Sequence, residues 1–154
     1  MTTPDDRLKA LGITLPTPAK PVANYVGWTQ TGNLVFTAGQ LPFDNGTLTQ
    51  TGVHGLDVTK EAGQAAARQA GINVIAQIKD ACDGDLSRVK RIVKLTGFVA
   101  CSHSFGDHPF VVNGASDLMV AVFGDSGRHA RSSVGVPSLP MNACVEVEAV
   151  VEIA

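Results

Sequence analysis

The amino-acid sequence predicts an α+β fold: one mixed β-sheet with two long helices packed on a single face. Three observations carry that prediction. Residues 145–153 alternate without a break, placing Val145, Val147, Ala149, Val151 and Ile153 on one strand face and Glu146, Glu148 and Glu152 on the other. Two other segments repeat apolar residues at helical spacing, Ala62, Ala66, Ala70, Val74, Ile78 and Ala81 in the first and Val111, Ala115, Leu118 and Val122 in the second. Strand-like and helix-like stretches then follow one another as β-β-(β)-α-β-α-β-β, the pattern of a sheet layered against helices.

Taken in order, Asp5 to Leu11 forms a short helix that Pro4 opens and Gly12 closes. Residues 13–21 hold Pro16, Pro18 and Pro21 and read as an extended connector, so 1–19 is a helix-and-connector segment and 20–154 the main domain. Tyr25 to Trp28 and Leu34 to Ala38 read as strands joined by a turn at Thr31-Gly32-Asn33, and Asn45-Gly46 marks a further turn. Asp57 or Thr59 caps the first long helix, which Asp83-Gly84 ends near Cys82. Its alanines allow close approach to the sheet. Val89 to Val99 is a long strand. The second helix runs from about Pro109 to Phe123, with Gly124 just past its end. A short strand begins at Arg131, and a Pro-bounded turn leads to the last strand. The helix-free face of such a sheet is too apolar to stand open, so self-association is expected.

A chain of 154 residues forms one domain and buries a real core without disulfides or metal. Its net charge of −2, with Arg88, Lys90, Arg91 and Lys94 as the one basic cluster, lacks the footprint of a nucleic-acid binder. Cys82, Cys101 and Cys144 are odd in number and far apart, as in a reduced cytoplasmic protein. No signal peptide and no membrane span is evident. His103 and His108 have weak spacing for a metal and read as solvated loop residues, and Cys101 and Cys144 as packed thiols. Ser132 and Ser133 lack the G-x-S-x-G turn of a nucleophile, and Gly39-Gln40-Leu41-Pro42 lacks the lysine of a phosphate loop.

The chemistry gathers near the carboxy terminus. If the last two strands are neighbours, Arg131 and a carboxylate such as Glu146 face each other. A guanidinium grips a small acid with its planar fork, and a carboxylate activates water beside it. The plain alternative is an ion pair of Arg131 with Glu146 or Glu148 at a subunit contact. Asn113, near a helix start, either hydrogen-bonds across an interface or shapes the helix entry. Trp28 suits core or contact packing.

Residues 32–42, Gly-Asn-Leu-Val-Phe-Thr-Ala-Gly-Gln-Leu-Pro, resemble the first signature of the Rid family (YjgF/RidA, formerly labelled endoribonuclease L-PSP). Residues 130–136 with Leu139-Pro140 and Val145-Glu146-Val147-Glu148-Ala149 resemble its carboxy-terminal signature. The resemblance spans roughly residues 20–154. It implies a chorismate-mutase-like α+β fold, a homotrimer with ligand clefts between subunits, no cofactor and no metal. It implies hydrolysis of reactive 2-imino acids to 2-oxo acids and ammonia. By that likeness Arg131 holds the carboxylate, Glu146 positions or activates water, Ser133 offers backbone groups near the imine, and Tyr25, Gly39 and Asn113 line the cleft. The chain departs from the family's deaminases at Ala38, where they usually carry serine, and at Ser133, where they often carry Cys or Thr. A non-catalytic trimer that binds small carboxylates is the alternative from another class, and a ribonuclease a third, against which the acidic balance counts.

Overall fold

The computed structural model describes residues 1–18 and 20–154; residue 19, where the connector was expected to end, lies outside them. Helix α1 spans Pro4–Ala10 and is opened by a capping box, with Thr3 and Asp6 exchanging side-chain and backbone hydrogen bonds. Strands β1 (Trp28–Thr31) and β2 (Leu34–Thr37) form a hairpin, followed by the small hairpin β3 (Phe43–Asp44) and β4 (Thr47–Leu48). Helix α2 spans Lys60–Ala81, β5 Val89–Ala100, α3 His108–Phe123, β6 Ala130–Val136 and β7 Val145–Ile153. The main sheet has the order β1-β2-β7-β5-β6, antiparallel except for the β5–β6 pair. The mixed sheet and its helices accord with the expected α+β layering.

Thr59 is the cap of α2, accepting from the Ala62 amide at 3.1 Å, while Asp57 is engaged by the Val53 amide at 2.7 Å. Helix α2 lies against the strand face formed by the odd-numbered residues of β7, which are buried from Val145 to Ile153, and α3 covers the same side of the sheet over β5 and β6. Small residues serve the helix–helix contact as well. A Cβ on Gly114 of α3 would strike the Gln64 carbonyl of α2, and one on Gly71 would meet the Ala115 Cα at 3.3 Å. Alanine at 114 gains about 1 kcal/mol of helix propensity but presses on unyielding backbone, and overpacking costs up to about 3 kcal/mol. Gly114→Ala is therefore expected to lower stability by about 2 kcal/mol in urea titrations with an unchanged m value. A more stable variant would refute the close-packing account.

Two expectations need correction. The first strand is Trp28–Thr31 rather than Tyr25–Trp28, and Tyr25 and Val26 are exposed. The reason is the turn. Gly32, with φ of 59°, and Asn33 form a two-residue connection that pairs Thr31 with Leu34, so the residues immediately before Gly32 make the strand whatever their propensity. The second correction concerns β6 and β7, which are not neighbours. β5 runs between them, parallel to β6 and antiparallel to β7, and residues 137–144 cross its end. A parallel partner for β5 requires a crossover element, and α3 supplies it.

His54 is fully buried, with Nδ1 at 3.0 Å from the Ala100 carbonyl and its ring against Gly63. Burial pushes its pKa below the ordinary 6.5, outweighing the Ala100 hydrogen bond that raises it. The unfolded chain thus takes up this proton first as pH falls below about 6.5, so stability declines in that window and is regained above it. Unfolding free energies measured from pH 7 to 5 should show a shallower slope in His54→Asn; an identical slope would remove His54 from that role.

Candidate carboxylate-binding site

The site is built at the β6 edge. Arg131 pairs in register with Leu95, and Ser133 with Gly97. Leu95 is buried, and a Cβ on Gly97 would strike Val112 of α3, so this face looks toward the helices. Arg131 and Ser133 therefore point to the helix side, along the flank of α3. Asn113 and Ser116, three residues apart, share one side of that helix. Nη1 of Arg131 donates to Asn113 Oδ1 at 2.8 Å and to Ser116 Oγ at 3.1 Å. Ser116 Oγ lies 2.9 Å from Nε2 of His129, whose Nδ1 lies 2.6 Å from the Gly127 carbonyl. The Ser133 hydroxyl is buried and has no hydrogen-bond partner. Asn113 thus reaches the guanidinium directly rather than only shaping the helix entry.

Glu146 occupies the opposite sheet face. It pairs with Phe98 on β5, and Glu148 pairs with Thr96. It is half-buried, and burial first, then the neighbouring Glu148 charge, raises its pKa above the ordinary 4.5. The segment after β2 is pinned beside it by reciprocal backbone hydrogen bonds between Gln40 and Val147 at 2.8 and 3.0 Å. Gly39 lies against the carboxylate so closely that a Cβ there would collide with Oε1 of Glu146. Glu152, on the same face, accepts from Asn33 Nδ2 at 3.0 Å.

The expected site residues therefore fall into two groups within one chain, Arg131 with Asn113 and Ser133, and Glu146 with Gly39. Arg131 is level with Ala149 through Leu95, two strands from β7 and three residues from Glu146. That places the two residues about 10 Å apart across the sheet and a similar distance along it, on opposite faces. They do not face each other across neighbouring strands, and no intrachain ion pair joins Arg131 to Glu146 or Glu148 among the described residues. Tyr25 is 60% exposed, and no hydrogen bond or ring contact links it to either group among the described residues. The sequence reading does not single out Ser116 and His129; their signals are the helical spacing from Asn113 and the i−2 spacing from Arg131, which returns to the same strand face.

Other candidates separate cleanly. His108 is not a free loop histidine: α3 starts one residue before Pro109, and Nε2 of His108 lies 3.3 Å from Cys101 Sγ. Burial pushes the Cys101 thiol up and Cys144 to about 11, as befits packed thiols. Trp28 packs partly buried against the core and donates to Asp80 at 2.8 Å. A cleft of about 740 Å³ between α1, the connector and the end of α2 contains neither Arg131 nor Glu146 and brings together no catalytic set. Among the described residues no helix is long and apolar enough to cross a membrane.

Comparison with known proteins agrees with this architecture. A family model described as "YjgF/chorismate mutase-like, putative endoribonuclease" matches residues 5–153. The chain is 48% identical over 147 residues to Protein TCP17 of Trypanosoma cruzi, covering 95% of this chain and 91% of that protein. It is 29% identical over 142 residues to a 2-iminobutanoate/2-iminopropanoate deaminase of Dermatophagoides farinae, covering 92% and 94%. Among solved structures it resembles Atu1372 of Agrobacterium tumefaciens, a protein of unknown function, with a TM-score of 0.92, 48% identity and coverage of 98% and 92%. It resembles the YjgF gene product of E. coli with a TM-score of 0.62, 27% identity and coverage of 88% and 93%. With a family match over nearly its whole length and the same sheet-and-helix architecture, this chain belongs to the YjgF/RidA, chorismate-mutase-like family.

Proposed function

We propose that the protein hydrolyses small 2-imino acids to 2-oxo acids and ammonia, in a cleft between subunits of a cytoplasmic homotrimer. The carrying observation is the state of the Arg131 guanidinium. Both Nη1 hydrogens are held by Asn113 and Ser116. The edge formed by Nη2 and Nε keeps its parallel N–H donors for a planar, two-oxygen anion, the geometry a carboxylate matches. Glu146 has the complementary property, a half-buried carboxylate whose raised pKa suits proton transfer. The two cannot serve one ligand within a single chain. A second copy whose open sheet face meets the β6 edge would join them, and Phe36 and Val134 already expose apolar surface on that face.

In the reaction, Glu146 takes a proton from water as the oxygen attacks C2 of the imine, giving a tetrahedral carbinolamine. With the imine nitrogen protonated at attack, returning the proton to nitrogen makes ammonia the leaving group, and the carbinolamine hydroxyl gives its own proton to Glu146 as the C–N bond breaks, so iminium and water become oxo acid, ammonia and one proton. Arg131 fixes the carboxylate throughout, and Gly39 keeps the space beside Glu146 clear. Chemistry of this kind needs no redox partner, and the acidic charge balance disfavours RNA as substrate. A coupled assay tests the proposal. An amino-acid oxidase generates 2-imino acids, and semicarbazide traps what remains. The protein should lower the trapped imine. Ala38, which places a methyl where a hydroxyl would border Gly39, favours the second reading, a carboxylate-binding trimer without turnover; tight 2-oxo acid binding with no loss of trapped imine would establish it.

A further inference from the structure

We infer that Ser116 and His129 are positioning residues, a directional relay that sets the Arg131 guanidinium for its ligand before the ligand arrives. The inference rests on the reading of Arg131 as the carboxylate clamp. Its direction follows from hydrogen-bond chemistry alone. The Gly127 carbonyl can only accept, so Nδ1 of His129, 2.6 Å away, carries the hydrogen. In the neutral ring Nε2 is then bare and must accept. Its partner at 2.9 Å is Ser116 Oγ, so the Ser116 hydroxyl donates to it. That turns the serine lone pairs toward Arg131 Nη1 at 3.1 Å, and Asn113 Oδ1 takes the other Nη1 hydrogen at 2.8 Å. With the ring neutral, every link has one permitted direction.

The five groups come from four places in the fold: Gly127 from the 3₁₀ turn that directly follows α3, His129 from the residue before β6, Ser116 and Asn113 from α3, and Arg131 from β6. Together they hold a side chain that otherwise loses about 2 kcal/mol of rotamer entropy when fixed. Preorganising it removes part of that cost from binding. The relay also chooses which edge of the guanidinium remains for ligand, because Nη1 is saturated. Ser116 touches no substrate in this scheme. It acts through Arg131, and His129 acts through Ser116.

The first test uses ligand-free protein. Arginine-selective ¹⁵N NMR should show hindered rotation of the Arg131 guanidinium in the parent and in Ser116→Thr, and its loss in Ser116→Ala. Among histidine variants, His129→Gln, whose amide oxygen can accept in place of Nε2, should retain the hindrance, and His129→Ala should lose it. In turnover, Ser116→Ala should raise KM roughly tenfold, the scale of one lost charged hydrogen bond, with a much smaller change in kcat. Ser116→Thr should restore KM. If turnover is absent in the parent, the Kd for 2-oxobutanoate replaces KM. Unchanged Arg131 dynamics together with unchanged KM or Kd in both alanine variants would overturn the relay. A parent that neither turns over imines nor binds 2-oxobutanoate would instead overturn the function proposed above, and the NMR comparison would still decide the relay by itself.

Discussion

Arg131→Ala is expected to lower kcat/KM for 2-imino acids by about a hundredfold or more, while the fold and assembly persist. Two parallel hydrogen bonds to a charged carboxylate, each about 1.5–3 kcal/mol and not additive, set that scale. The fold survives because Arg131 lies at the β6 edge, half-buried, and its partners Asn113 and Ser116 are polar groups that water can satisfy. The core beneath it, Leu95, Val111, Val112 and Ala115, is untouched. Arg131→Lys should rescue poorly. An ammonium can replace the charge but cannot hold Asn113 and Ser116 with one nitrogen and present a two-donor edge with another. Size-exclusion chromatography checks the assembly and the trapping assay the activity. An Arg131→Ala protein as active as the parent would sink the clamp, and with it the proposed mechanism.

Much of this architecture is legible in the sequence, for physical reasons that differ by element. β7 and the two long helices are periodic over many residues, and each buries one face against a single core, so pattern and structure coincide. The caps Thr59 and Gly124 are equally local, and both stand where the sequence places helix ends. Strand β1 is different. Tyr25 and Val26 have strong strand propensity, yet the two-residue turn sets the register and leaves them exposed. Strand order is harder still. Nothing within residues 130–153 says that β5, about forty residues earlier, inserts between the last two strands. Only the long-range pairings Leu95 with Arg131 and Leu95 with Ala149 decide it. Both halves of the site are nevertheless recognisable as residue types. Their separation onto opposite faces is not, and it is the reason the proposed reaction calls on a second subunit. Ser116 and His129 escape for a related reason: their spacings from Asn113 and Arg131 each lie within one segment, and nothing in either segment says that helix, turn and strand meet.

Glu146→Gln is expected to separate activity from stability in opposite directions. General acid–base groups contribute about 10²–10⁴-fold, and imine hydrolysis is intrinsically fast, so a loss near the lower end, about a hundredfold, is anticipated. Its pH profile carries the same signature. Glu146 must be ionised to take the proton from water, so kcat/KM in the parent should fall as pH drops through a pKa lying above 4.5, with burial as the larger cause and Glu148 as the lesser. For stability the sign is reversed. A carboxyl whose folded pKa is raised binds its proton more tightly in the folded state than in the unfolded one. Stability therefore declines as pH climbs past 4.5 toward the folded value, and the ionised group is a cost at neutral pH. Glutamine keeps the shape and removes the charge, so the variant should melt a few degrees higher, about 2–4 °C for each kcal/mol regained in a chain of this size. Glu148→Gln makes the control. It removes one neighbouring charge and should move the acid limb of the profile toward lower pH while sparing turnover. An active Glu146→Gln protein would exclude Glu146 as the proton carrier. An inactive one that melts lower than the parent would mean that the carboxylate stabilises the assembly, through a contact made by the partner subunit.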